Sequence, residues 1–312
     1  MPLVSIILPN YNHELYLNKR IDSILNQTYE DFELIILDDC SNDNSREIIE
    51  TYRSHRKVSN IVFNEINSGS TFKQWDKGIQ LASGDYIWIA ESDDYCEPTF
   101  LSELITPLIN DNDLVISFCQ SLFVTPQGKI INKTEADYLS AKISGKNFLT
   151  KYLLGSNAIS NVSMAILKKD IIVSVSKDYK SFKYCGDWLL YANMCLKGNV
   201  FISGKYLNYY LRHENSVTAD STKLGYDFFE GNRVFQFIKS SIDINQEDIQ
   251  YALNKRIERY FYLKKEFSLD VRQKVIQSLM LLDPSIKRLF RRKMGLLTVR
   301  KYITALKNKL IF

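Results

Sequence analysis

The chain has 312 residues, 45% hydrophobic and 24% charged, with 19 Tyr and 17 Phe but few Gly and Pro. This excludes extended disorder and leaves room for one large α/β domain with an appendage, or two modest domains. The net charge of +4 conceals an asymmetry, because nine Lys/Arg and no acids lie between Ile286 and Phe312. The remainder holds 31 basic and 36 acidic residues, a net −5 over residues 1–285. The basicity therefore belongs to the tail and gives no nucleic-acid surface on the main body. Five cysteines without CxxC spacing, behind a start lacking signal-peptide character, lead us to expect reduced thiols and a cytoplasmic protein. No apolar run approaches the roughly 18–20 residues that span a bilayer.

Val4–Leu8 reads as a short strand stopped by the turn composition Pro9-Asn10-Tyr11-Asn12. Leu17, Ile21, Ile24 and Leu25 follow helical spacing, and Phe32–Leu37 is a second strand. Ser45–Tyr52 reads as a helix, Asn60–Phe63 as a strand, and a Ser or Thr near Asn67-Ser68-Gly69-Ser70 can cap the helix holding Phe72, Trp75, Ile79 and Ala82. Tyr86–Ala90 is the fourth strand. This succession predicts an α/β protein with a mostly parallel sheet and helices on both faces. Further on, Leu114–Phe118, Val200–Ile202 and Leu207–Leu211 read as strands, and Gly145–Leu154 and Asp187–Leu196 as helices. After about Ser221 the pattern is helical nearly to the end. Phe123 to Ser160 carries no pattern that translates into function.

Two acidic clusters close apolar strands: Asp38-Asp39-Cys40-Ser41-Asn42-Asp43 and Glu91-Ser92-Asp93-Asp94. Carboxylates gathered at strand ends repel one another unless a cation or a donor-rich ligand sits among them, and ligands of open α/β sheets bind outside those ends. A metal ion and a nucleotide are the expected occupants. Pro9, Tyr11 and Asn12 suit a planar base by stacking and hydrogen bonding, or form a plain Pro-Asn turn. Asp38-Asp39 can accept from a base N–H or ribose hydroxyls, while Asp38 or Asp43 can instead cap the following helix, so that one carboxylate caps and the other binds. The Glu91–Asp94 turn has the D-x-D character that Mg²⁺ or Mn²⁺ requires, with Asp93 the best direct ligand and Glu91 able to contact ribose or metal-bound water. Lys73 and Arg212 are candidate phosphate contacts, though most lysines are simply solvated. Asp187 is either a helix cap beside a core tryptophan or a catalytic carboxylate. His213, just after a strand, suits a metal or phosphate contact, with a structural histidine as the plainer alternative.

In order along the chain, Val4-Ser5-Ile6-Ile7-Leu8-Pro9-x-Tyr11-Asn12, Ser23-Ile24-Leu25-x-Gln27-Thr28-Tyr29 and Phe32-Glu33-Leu34-Ile35-Ile36-Leu37-Asp38-Asp39-x-Ser41 resemble glycosyltransferase family 2. So do Asn67-x-Gly69, Gly84-Asp85-Tyr86-Ile87 running into Glu91-Ser92-Asp93-Asp94, Gly186-Asp187-Trp188 and His213-x-x-Ser216. The match is dense over residues 2–102 and intermittent to about 218.

The resemblance implies a GT-A fold, a mostly parallel Rossmann-like sheet flanked by helices with a C-terminal helical extension. Residues 1–220 would form the catalytic domain, with donor binding in 1–110 and the acceptor side in 111–220, and 221–312 the helical region. It implies inverting transfer of a sugar from a nucleoside diphosphate donor, usually UDP-linked, with Mn²⁺ or Mg²⁺. Tyr11 and Asp39 match the base-binding residues, Glu91 and Asp93 the ends of the D-x-D motif, and Asp187 the catalytic base. The chain departs from the pattern in three places: Glu91 replaces the usual first Asp, Gly186 stands where Glu commonly precedes the base, and Arg212 adjoins the histidine instead of lying two places before it.

In the expected mechanism Asp187 takes the proton of an attacking acceptor hydroxyl, a sugar or a lipid-linked glycan, in surface-polysaccharide or glycolipid assembly. A sugar nucleotidyltransferase also needs carboxylates and metal, but the Gly-rich basic loop it would carry after the first strand is missing. A Mg²⁺-binding receiver-like regulatory domain is shorter and needs neither Asp187 nor the His213 segment. In the tail, Val299, Ile303, Leu306 and Leu310 follow helical spacing among Arg300, Lys301, Lys307 and Lys309. That pattern fits a basic helix lying peripherally on the cytoplasmic face of an anionic membrane, or one packed on the catalytic domain with its charges solvated.

Overall fold

The computed structural model describes residues 3–135, 140–213 and 217–295, without the side chains of 217–220. The chain divides into two compact units: Met1–Leu149 with Asn157–Ser216, and Thr150–Ser156 with Val217–Phe312.

The first unit is built on a mixed, mostly parallel sheet. Its leading half comprises β1 (Val4–Asn10), β2 (Phe32–Asp38), β3 (Val58–Phe63) and β4 (Tyr86–Ile89), all parallel, in the order β3-β2-β1-β4. The helices α1 (Glu14–Leu25), α2 (Ser45–Thr51) and α3 (Thr71–Leu81) provide the crossovers. β1 is central, with Ile7 opposite both Ile35 and Ile89. Every residue of β1 and β2 is buried, as their mostly apolar sequences require, and the polar pair within them is matched: Ser5 Oγ donates to Glu33 Oε1 at 2.6 Å.

β1 continues past the point where Pro9 was expected to stop it. Ile7 O accepts from Ala90 N at 2.7 Å, and the ladder to β4 ends at Ile7–Ile89. Two residues on, the Pro9 nitrogen faces that same side beyond the last rung, so its missing N–H costs no ladder bond. Gly84 also has a positional reason: a Cβ there would lie 2.8 Å from Ser5 N, so only glycine lets the link into β4 lie against β1. The Ser70 side chain, expected to be able to cap α3, makes no capping bond among the described residues.

Beyond β4 come β5 (Tyr95–Cys96), α4 (Phe100–Asn110), β6 (Leu114–Val124), β7 (Ile130–Lys133), β8 (Ala141–Ile143), α5 (Gly145–Phe148), β9 (Ala165–Lys168), α6 (Lys169–Ser174), α7 (Gly186–Cys195) and β10 (Asn199–Leu211). The sheet order continues β4-β9-β6-β10-β5, with β7 on β6 and β8 on β10. β9 runs antiparallel to both β4 and β6, while β6 and β10 are parallel. The two short strands read at Val200–Ile202 and Leu207–Leu211 are one strand, irregular between Ile202 and Asn208. The single helix read at Gly145–Leu154 is a short α5 that passes into a π-helical turn at Leu149–Leu153.

The second unit contains α8 (Val217–Leu224), α9 (Tyr226–Ser241), α10 (Gln246–Leu263) and α11 (Leu269–Met280), with further helix over 286–295. Phe228 packs edge-on against Tyr260 and Phe267. Arg256 donates to Asn232 at 2.8 Å, and Asn232 donates to Ser278 at 2.6 Å, so one polar chain ties three helices within the unit. Among the described residues, no helix is long and apolar enough to cross a membrane.

Candidate active site

The loops that leave β1, β2 and β4 emerge at one edge because the strands are parallel neighbours. Two of these loops are joined tightly. Asn12 N donates to Ser41 Oγ at 2.9 Å, and Asn42 N donates to Asn12 Oδ1 at 2.9 Å. The junction uses left-handed backbone at Asn12 (φ 56°) and Cys40 (φ 65°), uncommon for residues other than glycine and frequent at functional sites.

The paired aspartates of β2 divide their work. Asp38 is fully buried and accepts from Asn10, from Ser41 N and from Arg46, so it holds the loop and does not cap α2. Asp43 is not the cap of α2 either, a position held by Asn44 without a side-chain capping bond. It ties the starts of two helices together instead, accepting from Ser45 N at 3.0 Å and Glu14 N at 3.0 Å. Asp39 faces the site. Its Oδ1 accepts from Asn64 (2.7 Å), Ser68 N (2.9 Å) and Gln74 (2.8 Å), whereas Oδ2 accepts from the Ser68 hydroxyl (2.7 Å). Each carboxylate oxygen offers about two acceptor positions, so Oδ2, which takes one bond, has one left for a base N–H. Tyr11, next to Asn12 in the joined loops, is 47% exposed and able to stack. Pro9 is buried within β1, and Lys73 is exposed, donating to Ser68 O at 3.0 Å.

The second acidic turn separates its carboxylates by direction. Glu91 turns toward α3, accepting from Trp75 Nε1 at 2.9 Å and Thr71 Oγ1 at 3.3 Å. Burial, with the charge of Asp93 adding, pushes its acid up to about 8. Asp94 points inward, accepting from Leu211 N at 3.1 Å and Asn161 at 2.8 Å, and so binds the turn to the end of β10. Burial and the Asp93 charge hold its carboxyl above the usual range. The buried Arg20 guanidinium works against that shift while lying 4.9 Å from the Trp88 ring.

Asp93 faces the site instead, with Oδ2 at 3.2 Å from His213 Nε2. Burial would raise its carboxyl, but the His213 bond and the fields of both nearby histidines hold it below the usual range. The second of these histidines, His13, was not singled out from the sequence. Its Nδ1 is 2.7 Å from Ser92 Oγ, and burial lowers its pKa, which favours the neutral imidazole that metals bind. One nitrogen from each of His13 and His213 and one oxygen of Asp93 all lie within 4.8 Å of one another. Glu91 and Asp94 do not join that group. Two imidazoles and a carboxylate are a donor set that fits a divalent cation.

Asp187 lies in the first turn of α7, two residues past the cap position, which is Cys185. Its Oδ2 accepts from Asn157 at 3.1 Å. One helical turn on, burial raises the Tyr191 hydroxyl well above its ordinary value, with the charges of Asp187 and Glu91 adding. Asp187 and the acidic turn therefore share one electrostatic neighbourhood. Arg212 points elsewhere: its guanidinium lies 4.9 Å from the Tyr210 ring and 5.6 Å from the Phe123 ring, and donates to Tyr210 Oη at 3.0 Å. Ser216 of the His213 motif is outside the described residues.

Known proteins share this architecture. S. aureus TarS 1–349, solved in complex with UDP-GlcNAc, superposes with a TM-score of 0.69 over 92% of this chain and 83% of that one, at 19% identity. An uncharacterized glycosyltransferase of Haemophilus influenzae is 36% identical over 152 residues, 47% of this chain. The matched stretch spans only 60% of that relative's length. A Campylobacter jejuni protein named GalNAc(5)-diNAcBac-PP-undecaprenol beta-1,3-glucosyltransferase is 24% identical over 240 residues, 74% of this chain and 72% of its own. The family model "Glycosyl transferase family 2" matches residues 5–169, more than half of the chain and inclusive of both acidic turns, and the protein belongs to that family.

Proposed function

We propose that this chain transfers a sugar from a UDP-linked donor to an acceptor hydroxyl with inversion at the anomeric carbon. The observation that carries the reading is the approach of Asp93 and His213, 120 positions apart in sequence, to 3.2 Å beside the Asp39 loop. In this reading Tyr11 stacks on the base and Asp39 Oδ2 accepts its N–H. Asp93 and His213 would hold a divalent cation, which neutralises charge on the departing diphosphate. Asp187, oriented by Asn157, takes the proton of the attacking hydroxyl, a contribution of about 10²–10⁴-fold. Glu91, neutral near pH 7 and fixed by Trp75, serves as a donor to the sugar or ribose instead of a metal ligand. Lys73 is free to swing from the Ser68 carbonyl toward phosphate.

The TarS ligand makes UDP-GlcNAc the first donor to try. The Campylobacter relative's name supports a polyprenyl-diphosphate-linked glycan as the acceptor class, met at the cytoplasmic face of a membrane. UDP release from UDP-sugars with Mn²⁺ present tests the reading. Slow UDP release that accelerates with acceptor supports transfer. Release of diphosphate from a nucleoside triphosphate would point to a nucleotidyltransferase, and neither product to a binding domain.

A further inference from the structure

The sugar-transfer reading leaves His13 without a task, although it lies at the same centre as Asp93 and His213. We propose that His13 is a third protein ligand of the cation held by Asp93 and His213, and that this nitrogen-rich set makes the site prefer Mn²⁺ and other transition-metal cations over Mg²⁺. The inference rests on the reading of Asp93 and His213 as cation ligands and goes beyond it in ligand number and metal choice.

Three loops from separate elements deliver these side chains. His13 follows β1, Asp93 follows β4 and His213 follows β10. β1 and β4 are parallel and paired as far as Ile7–Ile89, so their outgoing loops must lie side by side. His13 is held by Ser92, the residue next to Asp93, at 2.7 Å. Its ring stands 5.9 Å from that of His213 in an edge-on arrangement, and Tyr16 packs 5.5 Å from His213 and 6.0 Å from His13. The imidazoles thus converge edge to face with an aromatic support behind them, and are not buried singly among aliphatic side chains.

Ligand atoms on one ion at about 2.0–2.2 Å stand about 3–4.4 Å apart. The ligand atoms of His13, Asp93 and His213, all within 4.8 Å of one another, need only side-chain rotation to reach that spacing. Two imidazoles and one carboxylate would supply three donors to the cation and would leave it able to take diphosphate oxygens and water. Mg²⁺ prefers oxygen ligands and releases water reluctantly, whereas imidazole favours later divalent cations. Each imidazole therefore shifts preference away from Mg²⁺.

The test is Mn²⁺ binding to the full-length protein with UDP, followed by the loss of the free-ion electron paramagnetic resonance signal. Pulsed measurements count imidazole nitrogens on the bound ion, and Mg²⁺ competition gives the selectivity. Wild type should show two imidazoles. His13→Gln, which keeps a hydrogen-bonding group beside Ser92, should show one, with Mn²⁺ affinity lower by at least about 10–100-fold, which is what loss of a mere outer-shell partner costs. Its Mn²⁺/Mg²⁺ ratio should fall as well. One imidazole in wild type, or unchanged nitrogen count and affinity in His13→Gln, would overturn the proposal. If Asp93→Ala meanwhile abolishes Mn²⁺ binding, the sugar-transfer site stands without His13. Wild type that binds no Mn²⁺ with UDP would sink both.

Discussion

The Cβ that Gly186 lacks would lie 2.7 Å from Cζ of Phe72 and 2.5 Å from the Tyr179 carbonyl oxygen. Phe72 in turn packs edge-on against Trp75 with ring centroids 4.9 Å apart, and Trp75 holds Glu91. The glycine before Asp187 therefore makes room for the aromatic packing that fixes the acidic turn. A side chain there, such as the Glu common in the family pattern, would collide with both. Gly186→Ala should destabilise the protein by about 1–3 kcal/mol, the usual cost of overpacking. Denaturant melts measure it, and an unchanged midpoint would mean that α7 can shift freely.

Asp187→Asn keeps an oxygen for Asn157 but removes the base. Turnover followed by UDP release should fall by roughly 10²-fold or more while KM for the donor is retained, since only proton transfer is lost. Near-normal turnover would reduce Asp187 to a first-turn acid favoured by the helix dipole.

Asp39→Asn retains the shape of the loop and exchanges one acceptor for a donor. Hydrogen bonds to charged groups are worth about 1.5–3 kcal/mol, so UDP affinity should drop about 10–100-fold. Calorimetry with UDP reads this directly, and unchanged affinity would mean that Asp39 serves only its bonds to Asn64, Ser68 and Gln74.

The parallel half of the sheet is legible because β1, β2 and β4 are buried on both faces and are dominated by apolar residues, and β3 at its edge is still rich in β-branched ones. Elements that follow weaker rules escaped. β5 and β9 are two and four residues long, too short for periodicity. α4 carries Pro107, which reads as a breaker although Phe100, Leu101, Leu104, Ile105 and Leu108 form its buried face. β10 reads as two strands because Ser203-Gly204-Lys205 interrupts the alternation where the register to β6 shifts. In the site, acidic turns after strands can be read from sequence, but which carboxylate faces outward cannot. Glu91 turns to Trp75, Asp94 to Leu211, and only Asp93 to His213. His13 gave no signal alone, since a loop histidine gains meaning only from the partners that the sheet order brings beside it.

Glu33 offers a pH test away from the site. Burial would raise its carboxyl, but bonds from Ser5, Ser59 and Ser83 outweigh it and lower the pKa in the folded state. A lowered carboxylate stabilises the fold fully above its unfolded value, about 4.3, and that stability is lost as pH falls through the folded value. Glu33→Gln should therefore be less stable than wild type at pH 7, with the difference narrowing under acid. A gap that stays constant from pH 7 to pH 3 would exclude this linkage.

The basic C-terminal stretch divides in two. Within the second unit, Ile286 is fully buried, Phe290 packs 5.6 Å from Tyr260 and 5.2 Å from Phe261, and Lys293 pairs with Glu258 at 2.9 Å. Cutting the chain near Pro284 would strip these contacts, so the informative truncation ends at Gly295. Val299, Ile303, Leu306 and Leu310, with Arg300, Lys301, Lys307 and Lys309, lie outside the described residues. Each such cation near an anionic surface adds about 1 kcal/mol, so these would give about 4 kcal/mol at most. Full-length protein should sediment with phosphatidylserine vesicles at low salt and dissociate near 1 M salt, where the screening length falls to about 3 Å. The form ending at Gly295 should stay in the supernatant throughout. Sedimentation of both forms would locate membrane contact on the described body, whose basic helix over 287–293 is the next candidate. Sedimentation of neither would leave the tail's apolar stripe to pack against protein.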